Sequence, residues 1–447
     1  MRFVHRGLAI ALGTALLTLG VGAAHADGWP TWRGPSLDGH AKGGAIPETW
    51  DRTKNVRFRF PLPGPAASTP VVVGDRIFVT STVKDQSALR VLAISTAGEP
   101  LWSAEPDAGT LEVFERFASE TSLASPSPAV GGGRLFVLFG TGRLFAYSLT
   151  GELLWQRDLA AVYGEPRLYF GLSSSPLYRG GRLFVQLLHS GRQAIVALDA
   201  ASGEDLWHHE RQTDAKKECL HAYTSPLLFG DAADPEGPRL VIHGADYTTA
   251  HRLADGAELW RHGGLNPKES YNPSLRLVAS PVAAGNHLIV PTAKRGPVFA
   301  ITPRGARGDL TGEVVSWKLE RGTPDVASPL VAGGLVYLQG SKGRLSVLDL
   351  ATGEVVYEER VHQSTHRASP VLVGKKILLT ATDGTVSVVR TGRTYKLLAK
   401  NELGERLAAS PAVAHSTLYL RSYDALWAIG AKAKPPRSHG AKGGGGR

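Results

Sequence analysis

The sequence predicts an all-β protein: an eight-bladed β-propeller of four-stranded antiparallel blades, its ring closed by an N-terminal strand. Three observations carry that prediction. A Ser-Pro or Thr-Pro pair opens a β-rich segment with its proline at 70, 128, 176, 226, 281, 329, 370 and 411, at intervals of 41–58 residues. The closing half of the unit recurs as AISTAGEPLW (93–102), AYSLTGELLW (146–155), ALDAASGEDLW (197–207), AHRLADGAELW (250–260) and VLDLATGEVVY (347–357), with a weaker copy at 300–317. The run NVRFRFPL (55–62) alternates as a strand does but lacks three strands before it, whereas the last unit (410–430) lacks a fourth. Four-stranded repeats of roughly 40–50 residues are the mark of a propeller. Joining the two partial units closes the ring and removes exposed sheet edges.

The third unit shows the logic of each repeat. Its β-prone runs are SPLY, RLFVQLL, QAIVALD and EDLWHHE, divided by Arg179-Gly180-Gly181, Ser190-Gly191 and Ala201-Ser202-Gly203. Glycine supplies the positive φ that tight hairpin turns need. Ala197, Asp199, Gly203 and Trp207 are read as structural docking residues. Asp199 accepts hydrogen bonds from the turn that follows it. Gly203 relieves that turn sterically, and Trp207 wedges between adjacent sheets with its indole N–H free for a neighbouring carbonyl.

The chain divides into a signal segment (1–26), a Trp/Gly/Pro-rich lead (27–54), the propeller (55–430) and a basic low-complexity tail (431–447). Arg2 and Arg6, an apolar stretch and Ala24-His25-Ala26 make a secretory signal. No cysteine follows it, so a lipid anchor is not expected, and no later segment suits a membrane span. The periplasm or the medium is the expected location. Trp29, Trp32 and Trp50 suggest that the lead packs as a cap over the ring. The formal charge is +10, but the tail holds five basic residues and no acid; removing those and Arg2 and Arg6 leaves +3 for residues 27–430. That balance gives no support to a nucleic-acid partner. Cys219 is the only cysteine, so an internal disulfide or cysteine-based zinc cluster is excluded. The insertion at 230–239 carries Asp231, Asp234 and Glu236, whose spacing lacks the alternation of a calcium loop. His208 and His209 are adjacent on a strand and point to opposite faces, so they do not share a metal.

The docking pattern Ala-x-Asp-x-x-x-Gly-x-x-x-Trp resembles the tryptophan-docking repeat of pyrroloquinoline-quinone-type propellers. WPTWRGPSLDG, LFVLFGTGRLFAYSLTGELLW and LAKNELGERLAASPAVAHSTLYLRSYDALWAIG look like a large family of bacterial exported proteins with such repeats. More distantly, the repeats resemble the propeller subunit of the outer-membrane β-barrel assembly machinery. The family name describes the repeat and does not itself establish cofactor binding; the expected function is a non-catalytic binding or scaffolding propeller of the cell envelope, monomeric and without cofactor, that holds an envelope protein, peptide or glycan at its funnel mouth. The alternative the resemblance implies is a pyrroloquinoline-quinone-dependent dehydrogenase with calcium. That enzyme needs a metal held by Glu and Asn, and often an adjacent cysteine pair that this chain lacks.

The pre-proline serines recur in every unit, which marks them as structural rather than nucleophilic. The residues just before each Ser-Pro enter the innermost strand, so they are expected to crowd one mouth of the channel. They bring Glu120, Tyr169, His221, Tyr223, Arg276, Asp325, His366, Arg367 and Arg406 toward one rim as candidate ligand-binding residues. Mixed charges and aromatics in a concavity suit a ligand, and the basic excess favours an acidic one. No catalytic or metal-ligating residue is assigned. Cleavage after Ala26 is expected to give a mature chain that begins at Asp27. Intact-mass measurement of native protein checks this; a mass that includes residues 1–26 or a lipid overturns it.

Overall fold

A computed structural model describes residues 27–83, 88–109, 122–230 and 237–431. The signal segment, Glu120, the Asp231/Asp234/Glu236 insertion and the tail from Lys432 lie outside the described residues. Eight sheets form, one per unit. Strands run from innermost to outermost in chain order, as in blade three with Leu177–Arg179, Arg182–His189, Arg192–Asp199 and Asp205–Glu210. Blade eight holds Ala412–Ala414, Thr417–Arg421 and Ala425–Ile429 and is completed by Val56–Pro61. Arg59 pairs opposite Trp427 and Phe60 opposite Leu426, so the early strand closes the ring as the sequence predicts. Glu405 latches this seam: it pairs with Arg59 at 2.9 Å and accepts from Ser422 Oγ at 2.6 Å and Trp427 Nε1 at 2.9 Å.

The repeated serines explain how the blades hold register. The backbone N–H of Thr69 donates to Ser127 Oγ of the next blade at 2.9 Å. The same bond links Ser127 to Ser175, Ser175 to Ser225, Ser225 to Ser280, Ser280 to Ser328, Ser328 to Ser369 and Ser369 to Ser410, at 2.9–3.0 Å. All of these donors and acceptors are buried. Proline keeps the preceding residue extended, which aims each hydroxyl at its neighbour. At the eighth seam a threonine stands in the serine's place, and Thr69 Oγ1 has no hydrogen-bond partner. There the buried Arg421 of blade eight donates to Ser68 Oγ of blade one at 2.8 Å.

The outer rims are joined by the docking residues. Trp207 Nε1 donates to Leu253 O of blade four at 3.2 Å, and Trp102, Trp155 and Trp317 do the same to Leu149, Ala200 and Leu350. Trp207 itself is half-buried. Asp199 Oδ1 accepts from the N–H groups of Ala201 and Ser202 at 2.8 Å. Gly203 has φ +77°, and a Cβ there would lie 2.7 Å from the Trp155 ring, so the glycine serves the indole docked on it as well as its own turn. In the closing strand Phe58 takes the indole's place: a Cβ at Gly98 would meet its ring at 2.6 Å. Blade four departs from the pattern. The excursion after blade five's third strand adds Gly308–Asp309, which pairs parallel with Trp260 and Arg261 as a fifth strand. Trp260 is buried beneath it, and its Nε1 has no partner.

The lead goes further in than a cap. Trp29 makes two backbone bonds to Val72 of blade one, and Pro30 O accepts from Val130 of blade two. Arg33 donates to Pro329 O of blade six and Pro370 O of blade seven at 2.6 and 2.9 Å, while Gly39 and Ala41 bond Leu372. These partners sit on innermost strands from opposite sides of the ring, so the lead lies across the axis. Burial lowers Arg33 to about 10, and its guanidinium meets backbone carbonyls.

Six histidines are buried among the described residues, and burial lowers all of them, His262 included. Burial lowers His189, His221 and His366 to about 4, and His243 and His251 to about 3.

Two outcomes follow for stability. Replacing Ser225 by Ala leaves the buried N–H of Ser175 without its acceptor, which costs about 1–3 kcal/mol. Chemical denaturation measures it; a loss below about 0.5 kcal/mol, the range of a neutral surface change, overturns the structural role. Depressed histidine values mean stability is present above about 6.5 and is lost as pH falls toward 4, because only the unfolded chain takes up those protons. Asp246, raised by burial to about 6, acts in the opposite sense but is one group against six. Unfolding midpoints are therefore expected to fall steadily from about pH 7 to about pH 5; a flat or rising profile contradicts the assignment.

Candidate functional site

In an antiparallel four-stranded blade, the connection to the next blade and the turn between second and third strands lie at the same end of the sheet. The mouth is therefore built from both. Its densest part lies where the connections after blades two, three and four meet. The Tyr169 ring stands edge-on to His221 at 4.8 Å, and Phe170 stands edge-on to Tyr223 at 5.6 Å. The Arg276 guanidinium lies 4.8 Å over Phe170 and pairs with Glu218 at 2.7 Å. His221 Nε2 is 2.7 Å from Ser190 Oγ in blade three's turn. His221 Nδ1 and Tyr223 Oη are buried with no hydrogen bond of good geometry. Burial also pushes the Tyr223 hydroxyl up, so it stays protonated as a donor.

Four of the nine sequence-derived residues thus come together: Tyr169, His221, Tyr223 and Arg276. Their neighbours are spread round the ring. Asp325 pairs with Lys294 at 2.5 Å. His366 is fully buried, with Nδ1 3.0 Å from Ser364 O, and Arg367 beside it is half-buried. Arg406 is exposed and stacks over Tyr423 at 4.9 Å. The basic excess expected from the connections is smaller than their composition suggests, because Glu218 offsets Arg276.

Sequence reasoning passed over Phe170, Glu218, Lys294 and Tyr423. Phe170 and Glu218 lie within or beside the segments it singled out. Lys294 and Tyr423 sit in second-to-third-strand turns, from which no candidate was drawn. Strand alternation alone places those turns at the mouth.

Two other clusters bear on chemistry. His208 and His209 do point apart: His208 meets Tyr163, and His209 meets His251 at 4.9 Å. His209, His251 and Glu258 bring ligand-type atoms within 4.8 Å of one another. Glu258, however, is held by Arg261 at 2.6 and 2.9 Å, and both ring nitrogens of His251 are hydrogen-bonded, to Gly256 O and Thr249 Oγ1. This is a contact between blades three and four rather than a chelate. Cys219 is fully buried, and burial raises its thiol, as a packing residue requires.

Comparison with known proteins gives a consistent answer. The sequence profile of the family described as outer membrane protein assembly factor BamB matches residues 90–262 and 244–434. BamB of Yersinia pestis is 24% identical over 251 residues, covering 51% of this chain and 56% of that protein. BamB of Alkalilimnicola ehrlichii is 28% identical over 233 residues, covering 52% of each. The chain spans about half the length of these relatives. Among solved structures, BamB from Moraxella catarrhalis superposes with TM-score 0.58 at 17% identity, over 83% of this chain and 98% of that one. The quinohemoprotein alcohol dehydrogenase of Comamonas testosteroni superposes with TM-score 0.67 at 14% identity, over 93% and 82%. At such identities these two likenesses speak for the propeller alone. The profile match spans well over half of the residues and runs through blades one to eight, so the chain belongs to the family of the outer membrane protein assembly factor BamB.

Proposed function

We propose that this protein is a non-catalytic scaffold of the bacterial envelope that works without a cofactor and holds a protein partner, during outer-membrane assembly, against its funnel mouth. The lead is the observation that carries this reading. It crosses the axis from Trp29 to Ala41, so the channel offers a surface at its mouth rather than a through-going chamber. The Tyr169–Phe170–Arg276 cluster supplies that surface with the aromatic and arginine groups that dominate protein interfaces. The family membership supports an envelope setting.

The quinone alternative is tested by the side chains at the mouth. A calcium–quinone pair needs a carboxylate free to ligate. Glu218 is engaged by Arg276, Asp325 by Lys294, Asp383 by His362, and Glu405 by Arg59, Ser422 and Trp427. Those four carboxylates do not fit such a group; Asp246, in the corresponding turn of blade four, is held through one oxygen by Tyr271.

Capture from envelope extracts, read by mass spectrometry, tests the reading. Wild-type protein is expected to enrich an outer-membrane β-barrel protein or a component that assembles one. Replacing Arg276 and Arg406 by Ala is expected to reduce that enrichment about tenfold, as loss of an interface arginine does, while the melting temperature falls by no more than about 4 °C. Equal capture by both proteins sinks the proposal. So does calcium-dependent stabilisation of the wild type by added pyrroloquinoline quinone.

A further inference from the structure

We propose that blade four carries a second binding site, a pocket for a neutral saccharide in which a sugar hydroxyl donates to Asp246. The pocket is about 450 Å³, within the span of small-molecule sites. It lies between the turn at Gly244–Tyr247, the connection after blade three and the connection after blade four. These segments belong to the mouth end of the ring, but the lining shares no residue with the Tyr169–Arg276 cluster, so the pocket does not rest on the proposed function.

Asp246 is the unusual group there. The turn that carries it puts two successive non-glycine residues in the left-handed region, Ala245 at φ 47° and Asp246 at φ 66°. Both values are those of a two-residue type I′ hairpin, which His415 and Ser416 also adopt. The turn holds Asp246 at 5% exposure as part of the pocket's lining. Tyr271 Oη donates to Oδ2 at 2.7 Å, while Oδ1 has no hydrogen bond of good geometry. The neighbouring Asn266 amide donates to Cys219 Sγ and Asn272 O; it also favours the charged form of Asp246, but closes no hydrogen bond of good geometry to Oδ1. A buried carboxylate oxygen without a donor is costly, and a ligand hydroxyl removes that cost. Burial holds this carboxyl at about 6, so it is mostly an acceptor at neutral pH.

The rest of the lining selects the ligand's charge. Lys268 pairs with Asp214 at 2.8 Å, and Tyr247 Oη also donates to Asp214. Lys216 and Glu269 line the same pocket with opposite charges. A cation meets Lys216 and Lys268; moreover Arg261 already lies over the Tyr247 ring and Lys216 over that of Tyr271, at 5.1 and 6.0 Å. An anion meets Asp246 and Glu269. What the pocket offers is alternating donors and acceptors beside tyrosine rings at near-balanced charge. That combination suits a polyhydroxylated neutral ligand of one or two sugar rings.

Saturation-transfer NMR and calorimetry with maltose, cellobiose and N,N′-diacetylchitobiose test this. Wild-type protein is expected to bind at least one of them with Kd of about 10 mM or tighter, a weak-site affinity. Salt of about 0.5 M is expected to leave that binding unchanged, since no net charge is paired. Asp246→Asn is expected to weaken it roughly tenfold or more, as loss of a hydrogen bond to a charged group does. Lys216→Ala, at an exposed position where folding is not at stake, is expected to weaken it about threefold. Arg276→Ala is expected to leave it unchanged, so failure at the mouth and failure here are separable. The proposal is overturned if none of the three sugars binds, if Asp246→Asn and Lys216→Ala bind as the wild type does, if Arg276→Ala abolishes binding, or if spermidine displaces the sugar.

Discussion

A single hydrogen bond, repeated seven times, sets the geometry of the ring: a buried serine hydroxyl accepts the backbone N–H of its counterpart in the preceding blade. Apolar packing between twisted sheets is strong but weakly directional, and it tolerates sliding. The serine bonds tolerate none, because a slipped blade strands a buried donor at each seam. They act near the axis, while the indole-to-carbonyl bonds of Trp102, Trp155, Trp207 and Trp317 act at the rim. At the seams after blades one, two, three and five, two pins at different radii fix the sheets' tilt as well as their position.

Much of the fold was legible because a propeller writes its rules eight times. Ser-Pro, the Asp–Gly–Trp turn and the orphaned strand at 55–62 each had a physical reading that the structure repeats. What stayed hidden were the local exceptions. Nothing in TPRGARGDLTG announces that Gly308–Asp309 will pair with another blade, since two residues carry no periodicity. The course of the lead was hidden for a related reason. Its tryptophans signalled burial, but its bonds to Val72, Val130 and Leu372 are made by backbone, which sequence does not distinguish.

The candidate site was less legible than the fold. Chain order identified the connections that reach the mouth, and with them Tyr169, His221, Tyr223 and Arg276. It could not say which side chains turn inward: His366 is sealed in the protein, whereas Arg406 faces solvent. Nor could it weigh charges, because Glu218 and Lys294 neutralise their partners across gaps of 58 and 31 residues. Asp246 was invisible for a different reason. Its interest lies in a missing donor, and an unmet bond leaves no mark on a sequence.

The closing strand has a temporal side. Val56–Pro61 is made early, yet its partner Ala425–Ile429 is among the last parts of the propeller to be synthesised. Until then the chain holds an alternating, half-apolar strand with no edge to join, and seven blades with two raw ends. Contacts that span nearly the whole sequence are slow to form. The ring therefore verifies its own completeness: a chain interrupted anywhere before blade eight keeps Val56–Pro61 unpaired and two blade faces uncovered, the kind of surface that quality-control proteases and chaperones engage.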